Sequence, residues 1–62
     1  MKFEYKIVHV YTPNGFSEEN LRSVESTMNQ MGRAGWELVN TEMWAPPGSD
    51  AKHYIISFKR TI

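Results

Sequence analysis

Nucleophilic or acid–base chemistry needs particular residues in particular company, and this chain offers few. Five serines, Ser17, Ser23, Ser26, Ser49 and Ser57, lack the Gly-x-Ser-x-Gly context that lifts a nucleophile onto a sharp turn. There is no cysteine, which removes disulfides, thiolate metal sites and cysteine nucleophiles together. Glu18 and Glu19 are adjacent, so on a helix they diverge and serve the helix dipole rather than acting as a carboxylate pair. Glu37 reads as an exposed strand residue facing a Lys or Arg on a neighbouring strand. His9 and His53 are isolated in sequence. A favourable strand register would bring them together as a pH-sensitive or metal-binding pair, and a slip of one residue would put them on opposite faces. No metal ligand set, no cofactor site and no catalytic residue is assigned, and the reading is of a protein that is not an enzyme.

The elements that must position these residues follow from periodicity. Phe3, Tyr5 and Ile7 alternate with Lys2, Glu4 and Lys6, which predicts a half-buried strand over Lys2–Tyr11. The alternation blurs at Val8-His9-Val10, so a bulge or a second covered face is expected there. Thr12-Pro13-Asn14-Gly15 then supplies turn chemistry. A helix is predicted from Ser17 or Glu18 to about Arg33. Ser17 serves as N-cap, Asn20 leaves the capping box incomplete, and Leu21, Val24, Met28 and Met31 form one apolar stripe. Gly35 stands where a left-handed C′ residue belongs. A second strand over Trp36–Trp44 is stopped by Ala45-Pro46-Pro47-Gly48-Ser49-Asp50-Ala51. A third runs over Lys52–Arg60, with Tyr54, Ile56 and Phe58 on one face and His53, Ile55, Ser57 and Lys59 on the other.

The fold class is therefore α+β, in the order β-α-β-β, with one helix packed on a three-stranded mixed sheet. The helix is long enough to cross between two parallel strands, and the third strand returns antiparallel. Strand order 1-3-2 is preferred over a simple 1-2-3 sheet.

If strands one and two run the same way, their C-terminal ends share one edge of the sheet, where open sheets with crossover helices tend to hold ligands. Tyr11 and Trp44 would offer flat rings there, Asn14 and Gly15 a close backbone approach, Ser17 the helix N-terminus, and Lys52 and His53 donors. That set suits a small nucleotide-like ligand. Glu18 and Glu19 oppose a phosphate there, and the Trp44–Ala51 loop equally suits a protein contact.

Sixty-two residues make a single domain near the lower limit for folding alone, and without disulfides or metal the remaining support is self-association. Val8, Val10, Val39, Met43 and Ile55, taken as lying opposite Tyr5, Ile7, Leu38, Ile56 and Phe58, mark the uncovered sheet face as the interface of a homo-oligomer. Seven basic residues balance seven acidic ones, so no footprint for duplex nucleic acid or a membrane surface exists. Met1–Lys6 lacks the apolar core of a signal peptide and no stretch reaches membrane-span length, so a cytoplasmic location is expected.

Three blocks carry a family resemblance: Phe3-Glu4-Tyr5-Lys6-Ile7-Val8, then Met31-Gly32-Arg33-Ala34-Gly35-Trp36-Glu37-Leu38-Val39, then Ile55-Ile56-Ser57-Phe58-Lys59-Arg60. In this order they resemble a family of very short bacterial and phage proteins known only as a domain of unknown function. Its members follow a pattern of Y-K-V-V, then L-G-x-x-G-W-E-L-V, then F-K-R. Met31 replaces the leucine of the central block. The resemblance implies a bacterial or phage source and carries no catalytic residue. A phage accessory protein that sequesters a host signalling molecule fits it, and a module that docks on or inhibits another protein is the alternative. The Trp44–Ala51 loop lies outside the shared pattern.

Overall fold

A helix must satisfy its end groups before it can pack, and here both ends are closed by local residues. The computed structural model covers residues 1–62 and contains β1 (Phe3–Thr12), α1 (Glu18–Arg33), β2 (Glu37–Trp44) and β3 (Lys52–Thr61). At the start of α1, Ser17 Oγ accepts the Asn20 N–H at 3.2 Å, the N-cap expected of it. Asn20 does not complete a capping box. Its side-chain amide donates instead to the Gly15 carbonyl at 3.0 Å, tying the helix to the turn before it. At the far end Gly35 adopts φ 92°, its N–H bonds to Gly32 O, and the Trp36 N–H reaches Met31 O, each at 3.0 Å. Those two bonds are a Schellman motif, with Trp36 and Met31 supplying its apolar contact against the core.

The sheet has the order β1-β3-β2. Because β3 is inserted between the other two, both ladders are antiparallel, and the strands joined by α1 share a direction without pairing to each other. The sheet is thus antiparallel in its hydrogen bonding rather than mixed. The β1–β3 ladder runs unbroken from Phe3↔Thr61 to Thr12↔Lys52, so the irregularity anticipated at Val8–Val10 is absent. The bulge lies in β2 instead, between Leu38 and Asn40, with Val39 the extra residue.

Register decides which face each residue occupies, and it corrects the expected faces of β1. Directly paired residues share a face. Val8 opposite Ile56 and Val10 opposite Tyr54 therefore lie with the core, where they pack against Val24, Tyr54, Ile56 and Phe58. Met43, opposite Tyr54, is on this helix-side face as well. Phe3, Tyr5 and Ile7 lie on the other face, which no helix covers, and Tyr5 and Ile7 are each 69% exposed. Of the five residues assigned to the open face, only Ile55 is there by pairing, while Val39 is exposed at the bulge. The blurred alternation thus reflects a strand that is apolar on both faces, with Phe3, Tyr5 and Ile7 on one and Val8 and Val10 on the other.

The core is small. Ile56 and Phe58 on the central strand are 0% and 1% exposed, and Val24 is the one α1 residue buried with them. Met28 and Met31 of the expected stripe pack against this cluster, whereas Leu21 is exposed. Trp36 closes the layer beyond the helix end. The Arg60 guanidinium sits 4.2 Å from its ring centroid and the Lys6 ammonium 6.0 Å from it, and Arg60 pairs with Glu4. The result is a slab with extents of 44 × 21 × 11 Å and a radius of gyration of 12.9 Å, against about 10.6 Å for a compact chain of this length. No helix is long and apolar enough to cross a membrane.

The two helix-end glycines separate conformational strain from space. A Cβ at Gly35 or Gly32 would meet nothing within 4 Å, but only Gly35 has positive φ. Gly35→Ala should lower stability by about 1–2 kcal/mol, and Gly32→Ala should raise it by up to ~1 kcal/mol. Thermal denaturation followed by circular dichroism would check this, at about 4–8 °C per kcal/mol for a domain this small. Equal losses at both positions would contradict the assignment.

Candidate functional site

The helix-free face is built in rows across the three strands. Pairing sets Tyr11, His53 and Trp44 in one row, His9, Ile55 and Glu42 in the next, then Ile7, Ser57 and Asn40, then Tyr5, Lys59 and Glu37. Phe3 follows opposite Thr61, with the Lys59 ammonium 4.9 Å from its ring centroid. Glu37 is exposed and faces Lys59 across the ladder, as expected of it. Large apolar and aromatic side chains of β1 therefore run the length of this face, with the charged groups Glu37, Glu42 and Lys59 beside them.

The most organised part is the row at the ends of β1 and β2. The Tyr11 and Trp44 rings each stand close to the His53 ring, at centroid distances of 5.0 and 5.1 Å and tilted by 43° and 46°. Trp44 is 59% exposed, so this cluster is a platform rather than a core. His9 joins it from the neighbouring row, with its Nε2 2.9 Å from His53 Nδ1. The two imidazole planes are within 10° of each other and their centroids 5.1 Å apart. That separation matches the N···N contact plus two ring radii, so the rings lie in line and share an in-plane hydrogen bond rather than a face-to-face stack. One nitrogen donates and the other accepts.

The seven residues expected to form one ligand site are divided between two faces. Tyr11, His53 and Trp44 come together on the open face. Lys52 pairs with Thr12 on the helix side, where its ammonium lies 5.1 Å from the Phe16 ring centroid. Gly15 is buried, with φ 77°, and a Cβ on it would stand 3.3 Å from the Asp50 carbonyl oxygen. Its own carbonyl accepts from Asn20, so this backbone packs the β1–α1 turn against the β2–β3 loop instead of approaching a ligand. Ser17 Oγ is engaged in the helix cap, and Asn14 is exposed on the same turn. The reason is the period of two: Lys52 and His53 are consecutive on a regular strand and must point to opposite faces.

His9, Tyr5 and Ile7, not among the expected ligand residues, share the open face with Tyr11, His53 and Trp44. The signal for His9 was the possibility of a His9–His53 approach, which only the strand register could resolve. No cleft or cavity is enclosed by the single chain. In the β2–β3 connection the Ser49 N–H donates to Pro46 O, and Gly48 takes φ 75° at the third turn position. This turn holds Trp44 and His53 in neighbouring strands.

These positions separate structure from surface. Phe58→Ala should cost roughly 3–5 kcal/mol and leave the domain largely unfolded. Trp44→Ala should change monomer stability by no more than about 1 kcal/mol. Urea denaturation of the two variants would check the contrast; a loss at Trp44 comparable to that at Phe58 would make the aromatic row part of the core.

A family model described as Domain of unknown function (DUF4177) matches residues 3–61, nearly the whole chain, so the chain belongs to that family. No curated protein and no solved structure matches it.

Proposed function

We propose that this DUF4177 member is a non-enzymatic binding module that self-associates through the helix-free face of its sheet. In this reading it takes a flat, ring-bearing small molecule at the Tyr11–His53–Trp44 row. One observation carries the reading: an apolar and aromatic sheet face, from Phe3 to Trp44, that the chain's own helix leaves uncovered. Contiguous apolar surface of this kind mostly marks association. The face spans all three strands, the two longest of ten residues each. A second copy is the economical occupant, because a two-fold axis lets one patch serve both sides.

The ligand class follows from the groups that share the open face. Tyr11 and Trp44 offer π surfaces on either side of His53, suited to a planar ring such as a nucleobase. Ser17 and Lys52, which could meet a phosphate, are turned to the helix side, so recognition rests on the ring. A bound molecule gains enclosure only when the second copy closes over the row. Sequestration without turnover, as a phage accessory protein would need against a nucleotide-like host signal, accords with such a site. A protein partner docking at Trp44 is the second reading, favoured by the exposure of that side chain beside the Pro46–Pro47 turn.

Native mass spectrometry of the protein taken directly from cell extract tests this. The expected spectrum shows a homo-oligomer carrying a small molecule, and Trp44→Ala loses the added mass while keeping the oligomer. An oligomer with no added mass that instead loses a specific protein in Trp44→Ala would favour the second reading. A bare monomer would overturn the proposal.

A further inference from the structure

We propose that His9 and His53 form a two-nitrogen chelate for a divalent transition-metal ion, with Cu²⁺ the preferred occupant. His9 lies on β1 opposite Ile55, and His53 lies on β3 two residues before Ile55, so the two side chains meet on the diagonal of one ladder. Their Nε2 and Nδ1 atoms stand 2.9 Å apart. Two imidazole nitrogens that share a proton at this distance can share a metal ion in its place.

The separation brings both nitrogens within reach of one ion. With metal–nitrogen bonds of about 2.0–2.1 Å, nitrogens at adjacent corners of a square-planar or octahedral ion stand about 2.9 Å apart, and those of a tetrahedral ion about 3.3 Å. The 2.9 Å seen here is the length of the hydrogen bond and changes as the rings turn, so the choice of ion follows the donor type: Cu²⁺ binds such nitrogen donors most strongly among the divalent first-row ions. The chelate is preorganised because the β1–β3 ladder is unbroken over ten residue pairs and fixes both Cα positions. Only the rings must turn, so that the two nitrogens now aimed at each other converge on the ion. His9 is exposed and free to do so, while Tyr11 and Trp44 flank His53 and limit its movement.

The chain supplies these two donors without a third. No group of three or more His, Cys, Asp or Glu side chains is placed to hold a metal, and the nearby Glu42 carboxylate accepts from Asn40 at 3.4 Å. The remaining coordination positions face outward on the open side of the sheet, available to water or to an oxygen or nitrogen donor of a bound molecule. On binding, the proton of the hydrogen bond moves to the other nitrogen of its own ring, so that both imidazoles stay neutral and each offers a lone pair to the ion.

Titration of the full chain with Cu²⁺ in a non-chelating buffer, followed by calorimetry and low-temperature electron paramagnetic resonance, tests the site. The expected result is one Cu²⁺ per chain with coupling to two imidazole nitrogens. His9→Ala and His53→Ala should each weaken binding by at least the loss that removing an outer-shell partner brings, about 10–100-fold. Unchanged circular dichroism in His9→Gln, made in parallel, keeps the comparison to folded protein. Binding that persists undiminished in both alanine variants, as coordination by the Met1 amine would give, overturns the proposal, and so does absence of binding to the wild-type chain.

Discussion

One sixteen-residue helix can cover only one face of a three-stranded sheet, and every other feature of the molecule answers to that limit. The deeply buried side chains Tyr54, Ile56 and Phe58 alternate along the central strand, and Val24 reaches them from α1. Placing β3 in the middle gives those side chains neighbours on both flanks. It also leaves their opposite-facing companions, His53, Ile55, Ser57 and Lys59, on a surface without a cover. The accessible surface of 4512 Å² is only modestly above the roughly 4,100 Å² expected for a compact protein of 7.2 kDa. What distinguishes the molecule is thus where its exposed apolar residues lie, more than how much surface it exposes.

The motif shared with the family has a structural meaning on this frame. Gly35 supplies the positive φ that ends α1, and Trp36 is thereby delivered to the sheet, where Lys6 and Arg60 approach its ring. Arg60 also pairs with Glu4 and donates to the Ala34 carbonyl at 3.5 Å, so the last strand holds both the first strand and the helix end. Phe58 fills the core beneath. The blocks around Tyr5-Lys6, Gly35-Trp36 and Phe58-Lys59-Arg60 therefore join the three strands to the end of the helix. They describe how the domain is held together rather than what it binds. The row at the other end of the sheet draws on Trp44, at the border of the loop that the pattern does not include.

Much of this architecture was legible from residue order, and the failures have identifiable causes. Ser17, the Val24–Met28–Met31 stripe and Gly35 each signal a helix by local chemistry, and local chemistry is what forms it. A helix long enough to cross over and a loop short enough to return fit order 1-2-3 as well as 1-3-2, and the structure has the preferred 1-3-2. Face assignment on β1 failed because alternation determines which residues share a face and not which face is covered. Phe3-Tyr5-Ile7 is the more hydrophobic-looking set, yet Lys6 and Glu4 belong on the helix side because Trp36 and Arg60 receive them there. The bulge at Val39 left no signature in composition. The grouping of the candidate residues was half legible: Tyr11, His53 and Trp44 gather at the strand ends, whereas Lys52 was separable from His53 by simple parity along β3. Contact between His9 and His53 depended on register, which long-range pairing sets and no local motif encodes.

The central claim is that the helix-free face is a contact surface between copies of this chain. Sedimentation equilibrium across a wide concentration range tests it most directly, comparing the wild-type chain with Ile7→Lys, which places a charge in the middle of that face. Wild-type protein is predicted to sediment as a dimer or larger assembly and Ile7→Lys as a folded monomer. A wild-type chain that remains monomeric at every concentration, or an assembly indifferent to Ile7→Lys, would contradict the account.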